Sequence, residues 1–207
     1  RPRGPTPDPP AVRGGLSGKI SYSDLRRRGI AEVLGGRLGL SAAAAAAAAD
    51  AIFDAWLRER HAAAEALLFP GAAEALAAVV SEHPGVVVGA ITNSRADPFA
   101  MPSLAPLFDF TVSGEDEGVF PNRKPSPVIF DIALQRAASA SGRWTAADLR
   151  QRGWVHVGDD LPNDVGAASD AGARAVWVAA DGADAAAGEA RPYSTATQEE
   201  QAARRLA

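Results

Sequence analysis

The 207-residue chain contains no cysteine. Disulfides, a thiol nucleophile and a Cys-based zinc site are therefore excluded. No apolar run approaches the roughly 18 residues that a bilayer-spanning helix needs, so no membrane partner is expected. Positive charge is not in excess either. Lys and Arg total 21 against 25 Asp and Glu, a formal net charge of −4. That balance argues against a protein that coats nucleic acid. Internal repeats are absent. What is present is apolar material, 47% of the residues. This is enough for the core of one α/β domain with a small insertion.

Residues 1–16 are rich in Pro and Gly and read as a disordered lead-in, neither a signal peptide nor the start of a fold. Residues 17–68 read as helical throughout. Ser23 is a candidate N-cap for a helix over 24–34, and Ser41 for a second helix opening on the alanine run. Ile52, Phe53, Trp56 and Leu57 share one face of that second helix. Arg26, Arg27 and Arg28 read as a solvated helix face. Phe69-Pro70-Gly71 breaks the pattern. A helix over 72–81 should follow, with Leu76, Val79 and Val80 facing inward. The apolar stretch 86–91 is of the kind found in parallel strands buried on both faces. Residues 108–112 form a shorter strand, 127–138 a helix that opens on proline, and 139–152 a polar connector. The strands 154–157 and 174–178 complete the core. Residues 181–207 form a polar tail, with one candidate helix near 199–206. Alternation of strand and helix predicts an α/β class with a parallel, Rossmann-like sheet over 69–180 and a small helical cap at 17–68.

The chemistry concentrates at strand ends. In W-V-H-V-G-D-D-L-P-N-D-V, an apolar strand runs into Gly158, and Asp159, Asp160 and Asp164 follow. Open α/β sheets bind ligands at this edge, and clustered hard oxygens suit Mg²⁺. Thr92-Asn93-Ser94 ends the strand over 86–91, and Lys124 stands before Pro125 at a turn. A hydroxyl, an ammonium and acids meeting at one edge make a phosphate site: the hydroxyl donates to phosphate oxygens, and the ammonium offsets developing charge. Each part has a structural alternative. T-N-S is a common turn, Lys124 could be a surface lysine, and Asp160 or Asn163 could simply cap a helix. Their combination in this order favours the site. His156, inside a strand, reads as a packed side chain. His61 and His83 receive no role, and the four tryptophans read as packing residues.

These residues resemble the haloacid dehalogenase (HAD)-like hydrolase superfamily, in its small-helical-cap phosphatase branch. The run ending in Thr92 resembles the second family motif, R-K-P-S-P-V-I-F around Lys124 the third, and V-G-D-D-L-P-N-D-V-G-A-A the fourth. L-F-P-G-A-A-E-A-L resembles the junction of cap and core. The resemblance implies a Mg²⁺-dependent phosphatase acting on a small phosphorylated metabolite. Thr92 and Asn93 would contact phosphate, and Lys124 would stabilise charge. Asp159 would bind the metal, Asp164 would be a further ligand or sit behind one, and Asp160 would be an additional carboxylate. H-V-G-D-D-L-x-x-D-V-G is similar to phosphatases of flavin mononucleotide and of a phosphorylated riboflavin precursor. Response-regulator receivers also use acids, Thr and Lys-Pro, but their acid pair comes first in the chain.

The resemblance is incomplete at its beginning. The family opens with a central strand ending in D-x-D, which supplies the nucleophile and a general acid/base. No D-x-D occurs in residues 1–207. The missing strand would lie between those at 86–91 and 154–157. Its absence should leave a gap of roughly 10 Å, given the strand spacing of about 4.8 Å. The expectation is an incomplete chain, inactive as it stands, rather than a dedicated pseudoenzyme. A non-catalytic protein that keeps the phosphate and Mg²⁺ contacts is the alternative. The expected compartment is the cytoplasm or a plastid-type organelle lumen or stroma, with any targeting segment upstream. The sequence sets no oligomeric state.

Overall fold

The computed structural model describes residues 20–178. The expected lead-in, tail and helix near 199–206 lie outside the described residues. Two helices come first, α1 (Tyr22–Leu38) and α2 (Ala42–Ala66), packed as a hairpin. The N-cap of α1 is Ser21, which accepts from the Asp24 amide, and not Ser23. Ser23 is buried inside the first turn, where its hydroxyl donates to Glu115. Ser41 caps α2 as expected. Alanine needs no side-chain ordering in a helix, which explains the long run through 42–49. Of the four apolar residues expected on one face of α2, Phe53 is buried, Leu57 is half-buried, and Ile52 and Trp56 are exposed. Arg27 lies over the Phe53 ring at 4.1 Å and pairs with Asp50.

The hairpin is tied to the rest of the chain by polar contacts. Glu115, just beyond β2 (Phe110–Ser113), is 2% exposed in its side chain. It accepts from the Ser23 amide at 3.1 Å and from the Ser23 hydroxyl, and it pairs with Arg95 at 3.4 Å. A carboxylate at a helix N-terminus also meets the favourable end of the helix dipole. His61 on α2 accepts from the Asp97 amide. Replacing Glu115 with alanine leaves the Ser23 donors buried without an acceptor. Hydrogen bonds to a charged group contribute about 1.5–3 kcal/mol each, so a loss of about 2–3 kcal/mol is expected from urea unfolding. A midpoint equal to that of the parent would show that the tie is inert.

The core is α/β with parallel strands. β1 (Gly89–Thr92) pairs with β2, register Thr92 to Ser113. β3 (Val155–Gly158) pairs with β4 (Arg174–Trp177), register Gly158 to Trp177. Each strand is shifted from its expected range by up to three residues. The ladder of β1 starts at Gly89 because the Val88 amide goes to the Asp109 carboxylate instead. Among the described residues the two pairs share no ladder.

Helices α4 (Pro127–Ser141) and α6 (Ala167–Asp170) pack on one side of these strands. Val112, Val119, Ile129, Phe130, Ala133 and Ala168 form the centre of the core. On β3 and β4 the other side is bare among the described residues. Val155, Val157, Val176 and Val178 are exposed, between 49% and 58%. The run 86–91, expected to be buried on both faces, is half-buried from 87 to 91 and exposed at Val86. Helix α3 (Ala72–Glu82) has no buried residue. Val79 and Val80 are exposed rather than inward, because among the described residues no element packs over that face. The stretch read as a polar connector contains α5 (Ala146–Arg152), opened by a capping box between Thr145 and Asp148. Among the described residues no helix is long and apolar enough to cross a membrane.

Candidate active site

The site is built around one buried ion pair. Lys124 and Asp164 are 10% and 8% exposed in their side chains, and Lys124 Nζ lies 2.5 Å from Asp164 Oδ1. Lys124 Nζ also donates to the Ile91 carbonyl at 3.0 Å, at the end of β1 and next to Thr92. A lysine forty residues before Asp164 thus connects the carboxyl ends of β1 and β3. Asp164 is reached through a wide π-helical turn, Leu161–Gly166, which Asp160 caps by accepting from the Asn163 amide at 3.0 Å. The turn returns the Asp164 carboxylate against Gly158. A Cβ at Gly158 would lie 2.4 Å from Asp164 Cγ, so only glycine leaves room.

Asp164 accepts from every side. Oδ1 faces Lys124 Nζ and, at 3.3 Å, His156 Nε2, while Oδ2 accepts from the Asp160 amide at 3.1 Å. Burial alone would raise its pKa. The His156 hydrogen bond, the Lys124 charge and hydrogen bond, and the Asp160 amide outweigh that and hold the carboxyl well below the usual range. His156 was read from sequence as packing alone. The ring is indeed packed, edge-on to Phe130 at 5.6 Å, but it also touches the acid at the centre of the site. The signal available beforehand was its alternation with Val155 and Val157, which puts it on the covered face of β3.

Asn93 joins β1 to the lysine loop. Its Nδ2 donates to the Lys124 carbonyl at 2.9 Å, and its Oδ1 accepts from the Lys124 amide at 2.7 Å. The side chain clamps the end of β1 to the lysine loop. The Thr92 hydroxyl lies 3.1 Å from Ser94 Oγ and accepts from the Ser94 amide in a tight turn. Asp159 is exposed at the end of β3, with its carbonyl accepting from the Trp177 indole. Thr92, Lys124 and Asp159 all lie at the carboxyl ends of the strands.

A family model described as HAD-hydrolase-like matches residues 121–201. This span carries Lys124 and the whole acidic segment. A solved structure of a 2-haloacid dehalogenase from Pseudomonas syringae pv. Tomato DC3000 is 30% identical, with a TM-score of 0.60. The alignment covers 85% of this chain and 65% of that one. The chain is thus similar to HAD-like hydrolases in residues 121–201 and, in fold, to about two thirds of the dehalogenase's length. No curated protein matches it.

The HAD-like site can be tested against the cation that the resemblance implies. Among the described residues no group of three or more His, Asp or Glu side chains is arranged to hold a metal. Both oxygens of Asp164 already accept from protein donors, and both oxygens of Asp160 accept from Asn163. The residues do not fit a closed cation cage. Mg²⁺ can also be held through a single carboxylate with water completing its shell, and Asp159 is an exposed acid at this edge.

Proposed function

We propose that this HAD-like chain is the phosphoryl-binding part of a hydrolase for a small phosphorylated metabolite. The observation that carries the reading is the buried Lys124 ammonium, held between the Ile91 carbonyl and Asp164 at the strand ends. A cation fixed there would stabilise charge on a bound oxyanion without having to reorganise. The Thr92 hydroxyl would donate to the same anion. Asp164 would keep the lysine aimed, and Asn93 would hold the lysine loop in place. Asp159 would hold Mg²⁺, which supplies Lewis-acid polarisation of phosphate oxygens when bound. The α1–α2 hairpin would serve as the cap that selects substrate. Flavin mononucleotide and its precursor phosphate are the first substrates to test.

The test is binding, because this chain carries no D-x-D. Titration of the 207-residue protein with inorganic phosphate in the presence of Mg²⁺ should give saturable heat. Lys124→Met should weaken binding by about tenfold or more, given the 1.5–3 kcal/mol of a charge-assisted hydrogen bond. Equal affinity in both proteins sinks the reading. The 2-haloacid dehalogenase neighbour favours a second reading, in which the same lysine serves a haloacid carboxylate. Saturable binding of 2-chloropropionate without Mg²⁺, and none of phosphate, would select it.

A further inference from the structure

We propose that His156 is a positioning residue that fixes Asp164, and through it Lys124, from the strand side of the site. The phosphate arm of the argument rests on the proposed function, but the structural arm does not. Among the described residues Asp164 has three hydrogen-bond partners. Lys124 approaches on a stem with four rotatable bonds, so it cannot by itself define where the carboxylate sits. The Asp160 amide belongs to the same turn as Asp164 and moves with it. Only His156 comes from a separate, rigid element. It sits on β3, and its side chain is 10% exposed. Phe130 meets its ring edge-on at 5.6 Å and 89°, and Trp154 at 6.3 Å and 72°.

With the ring plane set by two aromatic neighbours, Nε2 lies 3.3 Å from Asp164 Oδ1. An imidazole N–H at that place donates to the same oxygen that takes Lys124 Nζ. The carboxylate is therefore pinned in the pocket that Gly158 leaves open, and the ammonium is placed against the end of β1. A histidine retained for packing alone would need the ring but not the N–H. One retained for positioning needs a donor at Nε2 more than it needs the ring.

Two variants separate these roles. His156→Phe keeps an aromatic ring and removes the donor. His156→Gln removes the ring and keeps an N–H donor near the Nε2 position. The first readout is hydrogen exchange of the Asp160 amide, whose acceptor is Asp164 Oδ2. His156→Phe should speed that exchange by about tenfold, corresponding to about 1.4 kcal/mol of local opening, and His156→Gln should stay within about threefold of the parent. The second readout is phosphate affinity with Mg²⁺, which should follow the same order. Urea unfolding of each variant gives the global term against which local exchange is compared. Unchanged Asp160 exchange in His156→Phe, with His156→Gln the more damaged protein, overturns the proposal and leaves a packing histidine. If the parent protein binds no phosphate, the proposed function fails on its own, and the exchange result still decides the role of His156.

Discussion

Replacing Asp164 with alanine is expected to remove about 3–5 kcal/mol of folding stability, the usual cost of leaving one member of a buried ion pair without its partner. Against a total stability of about 5–15 kcal/mol, this is the largest single-residue effect the fold should show. The Lys124 ammonium would lose its counter-charge in a setting only 10% exposed. The Asp160 amide and His156 would each lose an acceptor. The double variant Lys124→Met with Asp164→Leu should cost less than Asp164→Ala alone, because no charge is then left buried. A cost below about 1 kcal/mol for Asp164→Ala would mean that the pair is solvated in solution. The pH dependence has a definite sign. A carboxyl held below its ordinary value contributes stability that is present above pH about 4 and is lost as pH falls below that. The parent protein should therefore lose stability in acid more steeply than Asp164→Ala does.

The purified 207-residue protein is expected to release no phosphate from p-nitrophenyl phosphate with Mg²⁺ and no chloride from 2-chloropropionate. Covalent hydrolysis of either kind needs a nucleophile aimed at the reacting atom. The acids at the site are otherwise engaged: Asp164 accepts from Lys124, His156 and an amide, and Asp160 accepts from Asn163. Phosphate binding without turnover is the expected combination. Turnover that disappears in Asp159→Asn would refute it and make Asp159 a participant in the chemistry. Binding without turnover is also what a regulatory phosphate sensor would give. Product release restored by a longer chain that carries D-x-D would separate the two.

Much of the arrangement was readable from residue order. The strand running into Gly158, the acidic turn after it and the lysine before Pro125 were each recognisable, and the structure brings Lys124 and Asp164 into contact. Ser41 announced its helix because a hydroxyl before an alanine run has few other uses. Ser21 and Ser23 could not be separated by pattern, since either could cap α1. The choice depends on Glu115, 92 residues from Ser23. Helix α5 was readable and overlooked: T-A-A-D is a capping-box sequence, hidden by the polar residues around it. The role of Asn93 had no local signal, because its partners are backbone atoms 31 residues away. Periodicity marked Val79, Val80 and the strand valines as apolar faces. It carries no information about which element covers a face, and there the expectation of burial failed.

The Asn93 clamp sets how the two sides of the site behave together. Its paired bonds with the Lys124 backbone make the tip of β1 and the lysine loop one rigid body. The spacing between the Thr92 and Lys124 backbones is then a fixed gauge, within which the Ile91 carbonyl and Asp164 place the ammonium. On the proposed reading, an anion of the right width would meet a frame already set on this side of the site, and an anion of another width a frame that does not adjust to it.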